Sequence, residues 1–178
     1  MTASLILSSV VEMNHSNNNG FDGPALYAAL DAQRQAYGLS WQQVAKRIGV
    51  AASTLGRTKK GGPMETDGIL AMVRWLKCAP ENFIRGSQHV TYEAPSVAAH
   101  RFNTKALYEA LDAHRRSRGM SWREVARELG NVSCGMLTHL SKGGRVDINV
   151  VVATVRYLGR GVLDFTRASV RMTSQPSA

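Results

Sequence analysis

The chain of 178 residues is predicted to be all-α and to consist of two similar helical units in tandem. Three observations lead there: a long internal repeat, a helix-start signal recurring at the same place in each copy, and apolar residues spaced for helices. Residues 21–49 read FDGPALYAALDAQRQAYGLSWQQVAKRIG and residues 102–130 read FNTKALYEALDAHRRSRGMSWREVARELG. Fifteen of these 29 paired positions are identical at a constant offset of 81, which shared composition does not produce. Asn131 is then one extra residue in the second copy. The match resumes at an offset of 82 through Val50/Val132, Leu55/Leu137, Lys60/Lys142, Arg74/Arg156 and Phe83/Phe165. A unit of about 65 residues is long enough for a compact helical domain, and two copies are too few for a stacked solenoid.

Each element follows from local chemistry. Leu26 and Leu30 recur at helical spacing, and Gly38 ends that first helix. Ser40 with Gln43 three residues later, and Ser121 with Glu124, are capping boxes that start a second helix of about two turns. Val44, Ala45 and Ile48 (Val125, Ala126 and Leu129 in the second copy) form its apolar stripe, and Gly49 or Gly130 stops it. A third short helix over residues 52–60 has Leu55 as its one large apolar side chain, so Leu55 points inward and the Ser, Thr, Arg and Lys positions point outward. Gly61 and Gly62 end it. Thr66 is a candidate cap for a fourth helix with Ile69, Leu70, Val73 and Leu76 on its buried face, and Phe83 closes the unit. Trp41 and Trp122 are expected to pack over the preceding Gly38 and Gly119. Gly56 costs the third helix roughly 1 kcal/mol relative to alanine.

The predicted organisation is a tail (1–20), a first unit (21–86), a linker (87–101), a second unit (102–168) and a second tail (169–178). The linker, SQHVTYEAPSVAAHR, has no helical period and contains Pro95. No apolar run approaches the roughly 20 residues of a membrane-spanning helix. SLILSSVV near the N-terminus is short, lacks a preceding basic residue and makes a poor signal peptide, so a cytoplasmic protein is expected. Cys78 and Cys134 are isolated and are expected to be reduced packing or surface residues. The five histidines are scattered, and GRTKKGG has the wrong glycine spacing for a phosphate loop. No enzyme, metal or cofactor is therefore expected. The formal charge of +9 suits a polyanionic partner, and both units share it, at +4 for residues 21–86 and +5 for residues 102–168.

Two short helices joined by a tight turn, the second with a polar outer face, form a helix-turn-helix pattern. With SWQQVAKRIGVAASTLGRTKKGGPMETDGILAMVRWL, the first unit resembles the XRE-like family of phage-repressor and Cro-type domains, the core of the third helix being Ser53, Thr54, Leu55 and Arg57. The resemblance covers nearly all of residues 21–85 and, more weakly, residues 102–166. It implies two five-helix, lambda-repressor-like domains that bind double-stranded DNA, as a transcriptional repressor or regulator. The third helix would enter the major groove, with Ala52, Ser53 and Arg57 at base edges. Arg57 is the sharpest candidate, because a guanidinium can bond both O6 and N7 of guanine. Ser40, Gln42, Thr54, Lys59 and Lys60 would hold phosphates, as would Ser121, Arg123, Thr138, His139 and Lys142 in the second unit.

The second unit departs where bases would be read: VSCGMLTHLSKGG has Gly135, Met136 and His139 in place of Ser53, Thr54 and Arg57. Two domains in one chain imply an intramolecular pseudo-dimer with half-sites about 34 Å apart. A 15-residue linker reaches at most roughly 50 Å, which leaves direct and inverted half-sites both open. The alternative expectation is a protein-interaction module, antitoxin-like or a phage adaptor, with self-association or a protein partner through the second unit.

Overall fold

The computed structural model describes residues 20–87, 100–130 and 132–168. The predicted tails and most of the linker lie outside the described residues. The chain is mostly helical, as expected of an all-α protein, with one addition, a two-stranded antiparallel ribbon. In the first unit α1 (Gly23–Ala36), α2 (Trp41–Ile48), α3 (Ala52–Lys60) and α4 (Thr66–Leu76) are followed by a 3₁₀ turn, Pro80–Phe83. The second repeats this as α5 (Thr104–Ser117), α6 (Trp122–Leu129), α7 (Cys134–Ser141), α8 (Ile148–Tyr157) and Val162–Phe165. Each unit thus holds four α-helices, and the fifth element expected is a single 3₁₀ turn. No helix among the described residues is long and apolar enough to cross a membrane.

The repeat is reproduced in local detail. Asp22 accepts a hydrogen bond from the Ala25 amide and caps α1, and Asn103 does the same for α5 through Ala106. Both capping boxes form: the Ser40 hydroxyl accepts from the Gln43 amide while the Gln43 side chain accepts from the Ser40 amide, and Ser121 and Glu124 repeat the pair. Leu26 and Leu30, with Leu107 and Leu111, are fully buried. Gly23 is a close-approach position, because a Cβ there would lie 2.7 Å from the Thr58 carbonyl oxygen. In the second unit that position is Thr104, whose hydroxyl donates instead to the Gly144 carbonyl at 2.8 Å.

Four expectations are corrected. The linker does not run to residue 101: His100–Phe102 forms β1, which pairs with β2 (Thr166–Ala168) in the register Arg101↔Arg167. Leu55 is not alone on the inner face of α3. Thr58 is fully buried, and its hydroxyl donates to the Thr54 carbonyl one turn back, so a short polar side chain is satisfied within its own helix. Thr66 does not cap α4. Glu65 holds the cap position, and the Thr66 hydroxyl is drawn to the second unit, donating to the Val146 carbonyl at 2.9 Å. Trp41 and Trp122 pack as expected, but on Tyr27 and Tyr108, with centroids 4.6 and 5.2 Å apart, rather than on glycines.

The units meet along a seam with a local two-fold relation. Residues 64–66 pair antiparallel with residues 146–148, and Glu65 faces its own counterpart Asp147. The Thr66 amide donates to the Val146 carbonyl at 3.0 Å, and the Ile148 amide donates to the Met64 carbonyl at 2.9 Å. A second reciprocal pair flanks the first: the Phe21 amide donates to Asn149 Oδ1 at 3.0 Å and the Phe102 amide to Asp67 Oδ1 at 2.7 Å. Beneath it the apolar side chains of both units, from Met64, Ile69 and Met72 to Ile148, Val151 and Val155, belong to one continuous core.

Removing either reciprocal acceptor, in Asp67→Ala or Asn149→Ala, strands a part-buried amide and is expected to cost about 1–3 kcal/mol in urea unfolding. Because the core is shared, unfolding remains one transition. Two separated transitions in the wild type would show that the seam does not couple the units.

Candidate functional site

The helix pair α2–α3 presents a surface built by helical periodicity. Along α3, Leu55 and Thr58 point into the core, and Thr54 is half-buried beside them. The opposite arc carries Ala52, Gly56 and Lys60 in one row and Ser53 and Arg57 in the next, all exposed. On α2, Val44, Ala45 and Ile48 are buried while Gln42, Lys46 and Arg47 are exposed. Gly49 ends α2 in the left-handed conformation at φ 83°, the backbone turn that brings the chain round to α3.

Charge sharpens this surface. Residues 39–62 contain five Lys or Arg and no Asp or Glu. Lys46, Arg47, Arg57, Lys59 and Lys60 make no ion pair among the described residues. Five exposed cations with no acid between them in sequence concentrate positive potential and suit an extended polyanion, although Asp31 on α1 lies near enough to Lys59 to feel its charge. Lys59 leans over the Tyr27 ring, 5.6 Å from its centroid, and Tyr27 stacks on Trp41, the first residue of α2. The end of α3 and the first turn of α2 therefore flank one aromatic pair.

That pair is part of a framework present in both units. Arg34 bonds Asp31 at 2.7 Å, donates to the Leu39 carbonyl at 2.8 Å, and lies 5.1 Å from the Trp41 ring centroid. Arg115 repeats this with Asp112, the Met120 carbonyl and Trp122. Hydrogen bonds from Arg34 hold the Asp31 carboxyl below its ordinary range, and those from Arg116 and then Arg115 do so for Asp112. The framework sets the angle at which α2 leaves α1. Sequence reasoning passed over it, although Tyr27, Asp31, Arg34 and Trp41 are identical in both copies.

The structure sorts the expected site residues. Ala52, Ser53, Arg57 and Lys60 are brought together on the outer face of α3, with Lys59 at its edge and Ser40 and Gln42 at the exposed start of α2. Thr54 is half-buried and so less available. The Ser40 hydroxyl is engaged as an acceptor in its capping box. In the second unit Ser121, Arg123, Thr138, His139 and Lys142 are all exposed, but two hydroxyls are committed locally: Ser121 donates to Glu124 at 2.8 Å and Thr138 to the Cys134 carbonyl at 2.9 Å.

The α6–α7 surface is electrostatically different. Residues 120–144 hold three Lys or Arg and two glutamates. Glu128, at the position of Arg47, takes both guanidinium nitrogens of Arg118 at 2.7 and 3.1 Å and accepts from the Tyr157 hydroxyl at 2.8 Å. Glu124 closes the capping box. The α7 cap is the Ser133 hydroxyl, whereas α3 begins at Ala51 with no side-chain cap. Gly130 adopts φ 74°, ψ −71°, unlike Gly49. Burial pushes the Cys78 thiol up to about 11, while Cys134 is exposed and donates weakly to the Trp122 carbonyl. Among the described residues no three His, Cys, Asp or Glu side chains group as metal ligands.

Comparisons with family models, with curated proteins and with solved structures find no match to this chain.

The hydrogen bonds of Arg118, then of Tyr157, hold the Glu128 carboxyl below its ordinary value. A lowered carboxylate contributes stability at neutral pH that is lost as the pH falls through its folded-state value. Glu128→Gln should therefore flatten, only slightly because the pair is exposed, the decline in urea midpoint between about pH 6 and about pH 3. An unchanged pH profile would show that the Arg118–Glu128–Tyr157 cluster contributes nothing.

Proposed function

We propose that this chain binds double-stranded DNA sequence-specifically, as a cytoplasmic repressor or regulator of transcription whose two helix-turn-helix units act as an intramolecular pseudo-dimer. The observation that carries this reading is the outer face of α3. It exposes Ser53 and Arg57 one turn apart, with Lys60 on the same helix, while the preceding α2 exposes Lys46 and Arg47. Two short helices joined by a three-residue turn, the second polar outside and pinned inside by Leu55 and Thr58, have the dimensions and chemistry of a major-groove reader. The XRE-like resemblance of the first unit points the same way.

In this reading Arg57 spans O6 and N7 of a guanine, Ser53 and Ala52 meet the neighbouring bases, and Gly56 lets the helix approach closely. Lys59, Lys60, Gln42 and the first turn of α2 lie along the phosphates, with Lys46 and Arg47 adding long-range attraction. Ser40 contributes less than its exposure suggests, because its hydroxyl also serves the capping box.

The second reading, a protein-interaction module, draws on α7, which has Gly135 and an exposed Met136 in place of Ser53 and Thr54, and His139 and Ser141 in place of Arg57 and Lys59. Salt distinguishes the two. Binding to duplex DNA weakens steeply with salt as counterions are released, and a mostly apolar protein contact does not.

In gel-shift titrations on a duplex selected from a random pool, Arg57→Ala should lose about 1–3 kcal/mol of discrimination between the selected and a scrambled duplex. Lys60→Ala should weaken both about equally and lower the salt slope by about one. Equal losses on both duplexes for Arg57→Ala would remove its base-reading role, and no affinity for any duplex at low salt would remove the function.

A further inference from the structure

We infer that the DNA site of this protein is asymmetric, read base by base on one side of the local two-fold relation only, by α3. The inference rests on the DNA-binding reading above and specifies its target.

The reciprocal hydrogen bonds Thr66 to Val146 and Ile148 to Met64, and the flanking pair Phe21 to Asn149 and Phe102 to Asp67, relate the units by a two-fold rotation. Glu65 opposite Asp147 marks where that axis passes. The antiparallel seam fixes the relation of the units: α2–α3 and α6–α7 are presented in inverted, not direct, relation. Two equal subunits in this relation would call for a palindrome, because equal surfaces related by a two-fold axis demand equal sequences on opposite strands.

The surfaces are not equal. Pairing along the repeat sets Ser53 against Gly135, Thr54 against Met136, Arg57 against His139 and Lys59 against Ser141 on the third helices. On the second helices it sets Gln43 against Glu124 and Arg47 against Glu128. The last is a charge reversal on an exposed face, and its carboxylate is occupied by Arg118, which removes a second cation from service. Within Cys134–Ser141 no Arg, Lys, Asn or Gln remains, the side chains suited to bidentate contact with a base edge, and the Glu128–Arg118 pair leaves less positive charge beside it to hold a phosphate backbone. The scaffold is intact on both sides, since the Arg115–Asp112–Trp122 framework and the buried Leu137 match their counterparts. The exposed arc of the third helix is where the change bears on recognition. Arg123 and Lys142 remain exposed, enough for backbone contacts that add affinity without sequence preference.

The test is selection of bound duplexes from a random pool with the full chain, followed by saturation substitution of the enriched site. A single block of required bases, with no inverted copy, is the expected result. On that site Arg57→Ala should reduce affinity at least about tenfold, while His139→Ala should change it less than about twofold. Circular dichroism keeps a folding defect from passing for a contact loss. A palindromic site in which both halves resist substitution, or equal losses from the two variants, would overturn the asymmetry while leaving DNA binding intact. Retention of duplexes without any enriched sequence would also overturn it, and failure to retain any duplex would instead overturn the DNA-binding reading itself.

Discussion

Where α4 and α8 begin, two peptide segments lie antiparallel and exchange backbone hydrogen bonds, Thr66 to Val146 and Ile148 to Met64. Each bond alone contributes about 0.5–1.5 kcal/mol, yet their geometry constrains everything above them. The positive ends of both helices approach each other there, and Glu65 and Asp147 stand at the two caps, where negative charge offsets both dipoles. Asp147 does more than its counterpart, capping α8 through the Asn149 amide and accepting from the Met64 amide at 2.7 Å. Arg145 pairs with Glu65 at 3.2 Å. The apolar faces of α4 and α8 then fuse into one core, so the positions of α3 and α7 are set by helices that neither of them belongs to.

The parts of this architecture legible in the sequence are those written in short-range chemistry. The bounds of α3, the capping boxes at Ser40 and Ser121, and the glycine after each second helix all depend on residues within one turn, and they appear where the sequence places them. The seam was not legible, because it is made of backbone amides and of side chains whose local reading differs. Thr66 carries a capping signature, but Val146 offers its hydroxyl a carbonyl. Asp67 and Asn149 read as ordinary first-turn residues, and only the folded chain brings them to the Phe102 and Phe21 amides. Thr58 hid in the same way, as a threonine in a polar run that the core nevertheless needs.

The candidate site divides along the same line. Exposure of Ser53, Arg57 and Lys60 follows from helical period once Leu55 is known to point inward, so that much was available beforehand. The aromatic and ionic support beneath it was not, even though its members recur identically in both copies. Identity between repeats marks shared scaffold as readily as shared chemistry, and here Tyr27, Asp31, Arg34 and Trp41 are scaffold. They orient α2, and Lys59 rests on one of them.

A duplicated chain is held to its fold by every contact that both copies need, and it is free where a contact serves only a ligand. In the proposed DNA-binding reading, the differences on the exposed face of the third helix are of the second kind. Many buried positions change conservatively or not at all, as with Val44 and Val125 or Leu55 and Leu137, and others exchange type while staying buried, as with Thr58 and Leu140 or Met72 and Thr154, whereas the exposed arc of the third helix exchanges Ser and Arg for Gly and His. Glu128 shows that this is more than loss. It forms a new bidentate pair with Arg118, at a position where the first unit has Tyr37, and adds the Tyr157 hydroxyl to the pair. An ion pair so exposed adds little stability, but it neutralises charge on a face that in the first unit is left bare. The second unit therefore keeps the geometry that mirrors the first across the seam while changing the side chains on its exposed third helix, and it is this difference that the proposed asymmetric site would read.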